Sequence, residues 1–174
     1  MDDTSMGFST EVVSVEEKAA VLGLDEALFW EARQLIRRQG TSCIVVRDGD
    51  ILHRADGRGV APLVALYQGD KMKLTGSTVI DRVIGKAAAM ILVLGGVKSV
   101  YGDVLSASAA AYLTEYGIAY QYGEYVERIV DRTGTGMCPI EASVFEIDDP
   151  QAGLTAMMHK MEILRQEAGD CGGE

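Results

Sequence analysis

Residues 78–89 read Thr-Val-Ile-Asp-Arg-Val-Ile-Gly-Lys-Ala-Ala-Ala, and the chain stays apolar as far as Leu94. A stretch this apolar belongs inside a fold, yet Asp81, Arg82 and Lys86 interrupt it. The pattern predicts a helix from about Thr78 to Leu94, pressed against a sheet and stopped by Gly95-Gly96. Charges sit on a buried helix only when they are paired or used. Thr78-x-x-Asp81 has the spacing of a capping box, with Asp in place of Glu or Gln, which gives Asp81 a structural reading. Arg82 and Lys86, four residues apart, fall on one face of such a helix and require a negative neighbour. That neighbour is either a protein carboxylate or a bound anion, which the helix N-terminus also favours. Gly85 and Ala87–Ala89 leave little bulk, which fits close packing or room for a ligand.

The flanking sequence predicts what that helix packs on. Asp25 to Gln39 carries a helical apolar stripe with Asp25 at its start and Arg37-Arg38 at its end. Ser42–Arg47 and Asp50–Arg54 read as a hairpin joined by Asp48-Gly49. Val60–Tyr67 reads as a short helix with Pro62 in its first turn. Val97–Val104 and Ile118–Tyr122 read as strands around the Ala-rich helix 106–116, with 124–131 open between strand and short helix. Pro139–Ile147 and 152–168 read as helices, and residues 1–22 as a loose arm or short edge segment. Strands alternating with helices imply parallel neighbours, and the expected fold is an α/β three-layer α/β/α sandwich with a mixed sheet. The expected organisation is an arm over 1–24, one domain over 25–148, and a C-terminal helix with a frayed tail over 149–174.

Charge narrows the partners. The net charge of −10 is carried by the flanks: residues 1–40 hold eight acids against four bases, and residues 137–174 eight against two. Residues 41–136 balance at ten each, so bulk nucleic-acid binding is disfavoured while a local basic pocket is not. No apolar run is long enough for a membrane span, and the acidic N-terminus lacks a signal-peptide pattern. Three cysteines, Cys43, Cys138 and Cys171, with no Cys-x-x-Cys spacing, argue against a disulfide scaffold or thiolate zinc site. A cytoplasmic location is expected.

Two Gly-rich loops are candidate anion cradles. Arg54-Ala55-Asp56-Gly57-Arg58-Gly59 could turn its backbone N–H groups towards an oxyanion, with Arg58 beside them. Arg132, Thr133, Gly134, Thr135 and Gly136 form the second, although it is neither a Walker loop nor a dinucleotide fingerprint. Cys138 follows, just before a helix start that would lower a thiol pKa, so it is a nucleophile candidate as well as a small packed residue. His53 and His159 read as surface or satisfied side chains. Met157, Met158 and Met161 read as core or interface packing.

At Gly-Ser-Thr-Val-Ile-Asp-Arg-Val-Ile-Gly-Lys-Ala-Ala-Ala (residues 76–89) and Arg-Thr-Gly-Thr-Gly-Met-Cys-Pro-Ile-Glu (residues 132–141) the chain resembles a prokaryotic family, the domain of unknown function 1893, over roughly residues 41–142. The resemblance implies a cytidine deaminase-like fold. Zinc deaminases carry a His- or Cys-x-Glu signature at the start of one helix and Pro-Cys-x-x-Cys at the next. The matching segments are taken as Val79-Ile80-Asp81 and Leu105–Ala109. Val79, Ser106 and Ala109 stand where metal ligands would be needed, and Asp81 stands in the slot of the Glu. No metal and no other cofactor is therefore expected, and zinc-dependent deamination is not.

The leading expectation is a protein that binds a small anionic ligand, nucleotide derivatives included, through Arg58, Ser77, Thr78, Arg82 and residues 132–136. A second reading is a metal-independent enzyme acting on a nucleotide-derived substrate, with Asp81 as acid or base, Lys86 and Arg82 stabilising charge and Cys138 as a remote nucleophile candidate. A third is a partner-binding module using the C-terminal helix. The deaminase-like resemblance also implies a homo-oligomer.

Overall fold

The computed structural model describes residues 13–170. Its centre is a five-stranded sheet in the order β2-β1-β3-β4-β5, built from β1 (Thr41–Arg47), β2 (Asp50–Asp56), β3 (Thr78–Ile84), β4 (Ser99–Ser106) and β5 (Ala119–Val126). β1 runs antiparallel to both β2 and β3, while β3, β4 and β5 are mutually parallel. The hairpin turn is tight because Asp48 and Gly49 both adopt positive φ, 53° and 82°, the backbone that a two-residue primed turn requires.

Helices α1 (Val15–Leu22) and α2 (Glu26–Arg38) cover one face of the sheet. Their apolar stripes supply Ala19, Leu22, Phe29, Ala32 and Ile36 to a core closed by Ile44, Val46, Ile80 and Tyr101. The other face carries α3 (Ala61–Asp70), α4 (Lys86–Gly95) and α5 (Ala107–Glu115), with α6 (Pro139–Val144) and α7 (Pro150–Asp170) packed outside α4. This is a three-layer α/β/α sandwich on a mixed sheet. No helix among the described residues is long and apolar enough to cross a membrane.

The expected helix over 78–94 is two elements. Thr78–Ile84 is the central strand β3, Gly85 breaks the chain, and the helix begins only at Lys86. Strand pairing wins because five of the seven residues 78–84 are β-branched, a composition that favours the pleated, buried surface of a sheet. The capping box proposed for Thr78 and Asp81 is therefore absent: both lie within the strand, and Arg82 and Lys86 share no helix face. The described part of the expected loose arm is helix α1. It opens with a true capping box, in which Glu17 N donates to Ser14 Oγ at 3.1 Å and Ser14 N to the Glu17 carboxylate at 2.9 Å. Residues 1–12 lie outside the described part. The ambiguous segment 124–131 continues β5 to Val126 and then turns into an irregular connection.

Candidate ligand site at the ends of the parallel strands

β3 and β4 deliver the chain into α4 and α5 at the same end of the sheet, so the two helix N-termini lie side by side. Each N-terminus has free N–H groups that need acceptors. At α4 the acceptor comes from far along the chain. Glu141 on α6, 8% exposed, receives the backbone N–H of Lys86 and of Ala87, both at 2.9 Å. Gly85 makes this approach possible, because a Cβ there would collide with the Glu141 carboxylate. Burial raises the Glu141 pKa, and the two N–H donors and the Lys86 charge oppose that rise.

Lys86 is itself buried, 8% exposed. Its ammonium donates to the Phe145 carbonyl at 2.9 Å, lies 3.7 Å from Asp148 and sits 5.9 Å from the Tyr112 ring centroid. The negative neighbours that the sequence required for this charge are thus protein groups: a carbonyl at the end of α6 and a carboxylate beyond it. At α5, Ser106 is the N-cap. Its Oγ accepts from Ala109 N at 3.1 Å and stands 3.1 Å from Ser108 Oγ.

A cavity of about 200 Å³ opens in front of these two helix starts. Lys86, Ser108, Glu127, Arg128, Glu141 and Phe145 are on its wall, with Ile129 and Met137 closing it from the connection after β5. Arg128 has one carboxylate nearby, its chain neighbour Glu127 at 3.6 Å, and both side chains are largely exposed.

The other candidate residues are dispersed. Asp81 lies inside the sheet, 5% exposed and opposite Cys43 in the antiparallel pairing of β1 and β3. Burial pushes its pKa up to about 7, against the N–H of Val83 and the Cys43 thiol, which favour its ionised form. The Cys43 thiol is pushed well up by its own burial and then by Asp81. Arg82 is exposed on β3. Ser77 and Thr78 are buried at the opposite end of β3, about 20 Å away by strand rise. There Ser77 Oγ donates to the Leu74 carbonyl at 2.7 Å and Thr78 Oγ1 is 2.7 Å from Ser99 Oγ. Arg58 is exposed after β2, at the same end of the sheet as Lys86 but two strands over.

The second Gly-rich loop has a resident carboxylate. Asp131 Oδ1 accepts from Thr133 N at 3.0 Å, Thr133 Oγ1 at 2.7 Å and Thr135 N at 3.3 Å. These bonds, the Thr133 hydroxyl first, hold the Asp131 pKa below the usual range. Arg132, Thr133, Gly134, Thr135 and Gly136 are all exposed. Cys138 is half-buried at the start of α6, a helix of six residues, and its N–H donates to the Ile129 carbonyl at 3.0 Å. Of the proposed site residues, Lys86 alone is on the cavity wall. Glu141, Ser108 and Arg128 were not singled out from sequence. Glu141 had a signal, since it ends the second long motif and follows the helix-starting Pro139 by two residues. Arg128 had none, because it follows the strand end in a segment without periodicity.

Residues 31–161 match the family described as TM1506: Domain of unknown function (DUF1893). The chain belongs to that family. Among solved structures, a DUF1893 family protein, TM1506 from Thermotoga maritima, is similar at a TM-score of 0.71 and 28% identity, covering 79% of this chain and 92% of that one. RibD from Acinetobacter baumannii matches at a TM-score of 0.38 and 19% identity over 63% of this chain and 36% of that one. A dCMP deaminase from the cyanophage S-TIM5 matches at 0.38 and 18% identity, over 62% of this chain and 97% of that one. No curated protein matches the chain.

The DUF1893 chain also departs from the deaminase alignment expected from its sequence. The helix after β3 starts at Lys86, so Val79-Ile80-Asp81 lie in the strand and Asp81 does not occupy the helix-start slot of a catalytic Glu. Ser106 does sit at the start of the next helix. Among the described residues no three His, Cys, Asp or Glu side chains are grouped to hold a metal.

Proposed function

We propose that this DUF1893 protein binds a small anionic ligand in the cavity before α4 and α5, with the anionic group facing Arg128, Ser108 and the first turn of α5. The observation that carries the reading is the pairing of two helix N-termini of which only the one at α4 is filled by a protein carboxylate. Glu141 serves α4, while α5 has only the neutral Ser106 cap and keeps its affinity for negative charge. Arg128 adds a planar donor suited to a phosphate or carboxylate. Sites for drug-sized ligands run to roughly 300–1,000 Å³, so a cavity of about 200 Å³ fits a phosphate or short-chain group. The rest of a nucleotide would then lie over the exposed connection after β5. The enzyme reading that uses Asp81 has less support, since that carboxyl is buried in the sheet and is not on the cavity wall.

Thermal denaturation with nucleoside 5′-monophosphates and phosphosugars tests the proposal. A ligand at a hundred times its Kd stabilises by about 2.7 kcal/mol, which a shift in Tm reports. We expect at least one compound to stabilise the protein and Arg128→Ala to weaken it by about tenfold or more. No stabilisation by any compound, or an unchanged response in Arg128→Ala, overturns it.

A further inference from the structure

On the opposite face of the sheet, under α1 and α2, several cations gather around one carboxylate. Lys18 projects from α1, and Arg33 and Arg37 lie four residues apart on α2. Asp103 on β4 is already fully engaged. It accepts from Arg37 Nε at 2.9 Å and Arg37 Nη2 at 3.0 Å, and from the Tyr101 hydroxyl at 2.8 Å. In the register of β3 and β4, Arg82 falls beside Asp103, between the pairs Asp81–Gly102 and Val83–Val104. Asp103 therefore neutralises Arg37 and leaves Lys18, Arg33 and Arg82 without a carboxylate within 4.0 Å among the described residues.

The two inner cations are poorly served. The Lys18 ammonium donates to the Tyr122 carbonyl at 2.6 Å. Its own burial, and then the charges of Arg33 and Arg37, lower its pKa from the ordinary lysine value. The Arg33 guanidinium stands over the rings of Phe29 and Tyr101, 5.5 and 5.3 Å from their centroids. Its Nε is the one buried side-chain nitrogen or oxygen among the described residues that lacks a hydrogen-bond partner. A buried donor without a protein acceptor is costly. Concentrating positive charge here is also notable in a chain of net charge −10. On β5, Gly123 lets the Asp103 carbonyl and the Tyr101 hydroxyl pack close, since a Cβ there would come within 2.7 Å and 3.1 Å of them. Arg37 and Arg82 are exposed, so the cluster opens to solvent.

We infer that Lys18 and Arg33, beside the Arg37–Asp103 pair, form a binding site for a doubly charged oxyanion of the phosphate class. Two uncompensated cations match a dianion, and the planar fork of the Arg33 guanidinium suits contact with its oxygens. The site is separate from the cavity before α4 and α5, since it lies across the sheet and shares no residue with it.

Side-chain NMR and calorimetry test the site on the whole chain. Titration with inorganic phosphate should shift the Arg33 Nε–H resonance saturably. Arg33→Met and Lys18→Met, which keep an apolar stem over the rings and the sheet, should weaken phosphate binding by about tenfold or more, while Lys71→Met on the far surface should not. Circular dichroism checks that each variant is folded. Lys18 is only half-buried, so that variant preserves the test even where Arg33→Met does not fold. Glycerol phosphate in parallel separates a phosphate ester from the free ion, the tighter of the two naming the source. Absence of saturable binding at millimolar phosphate, equal binding in all three variants, or loss of phosphate binding in Arg128→Ala alone overturns the assignment.

Discussion

At Asp81 a carboxyl group sits inside the sheet with a thiol opposite it and its nearest cation, Arg82, turned to solvent. Desolvation dominates, so the folded state holds the proton that an exposed aspartate would release. With a folded value of about 7 against an ordinary 3.8, the folded chain binds more protons than the unfolded chain between those values. Stability must then fall as pH rises through that window and level off above it. The full shift corresponds to roughly 4 kcal/mol, of which relaxation of the strand will recover part. Asp81→Asn keeps the shape and an acceptor for the Val83 N–H without the charge. Urea denaturation should find the variant more stable than the parent by about 1–3 kcal/mol near pH 8, with no gain near pH 4 and a flattened slope between. Equal destabilisation at both pH values would mean that the ionisation of Asp81 contributes nothing to the difference between them, and would overturn the raised value.

At the scale of elements, the junction of β3, Gly85 and α4 is organised by a carboxylate more than fifty residues downstream. Gly85 has φ of −100°, which alanine adopts without strain, so its requirement for glycine is steric and comes from Glu141. Gly85→Ala should force α6 off the helix start and cost about 1–3 kcal/mol, with faster proteolysis between residues 127 and 149. In Glu141→Ala the same substitution should cost much less, because the obstructing group has gone, and a double-mutant cycle reads that difference as coupling. Additive costs would mean that the Glu141 carboxylate does not constrain Gly85. The junction also shows what the sequence made legible. The hairpin, α2, α5 and the last helix follow from local signals: Asp48-Gly49, the Asp25 cap, an Ala-rich run, an amphipathic stripe. Thr78–Leu94 does not, because a strand and a helix that are both buried leave no polar face to reveal their periods. The β-branched content before Gly85 and the alanines after it were the available distinction. The anion-binding expectation met the same difficulty. An N-terminus and a Gly-Thr loop were recognisable as anion acceptors, but nothing local indicated that Glu141 already occupies the first, whereas Asp131, directly before the second, was a local sign that its N–H groups are taken.

For the molecule as a whole, the decisive placement is α4 between the sheet and α7. Every residue from Lys86 to Leu92 is buried, a condition one sheet face cannot impose on a helix, so a second layer must cover its outer side. α7 provides it. Leu154 and Met157 are buried there, and Gly153 lets α7 approach so closely that a Cβ would strike the Met90 sulfur. Met161 packs at the edge of the same core while Met158 stays exposed, which divides the three methionines between packing and surface. A C-terminal helix used this way is a component of the core. Truncating a single buried Leu or Met to Ala costs about 2–5 kcal/mol, and a domain has only about 5–15 kcal/mol in total. A chain ending at Asp148 loses both side chains and bares Met90, so it should lose its cooperative urea transition and bind a hydrophobic dye. Leu154→Ala and Met157→Ala should each stay folded with a lowered midpoint. A truncated chain that unfolds cooperatively at the parent midpoint would show that α4 needs no outer layer, and would return α7 to the surface as a partner-binding helix.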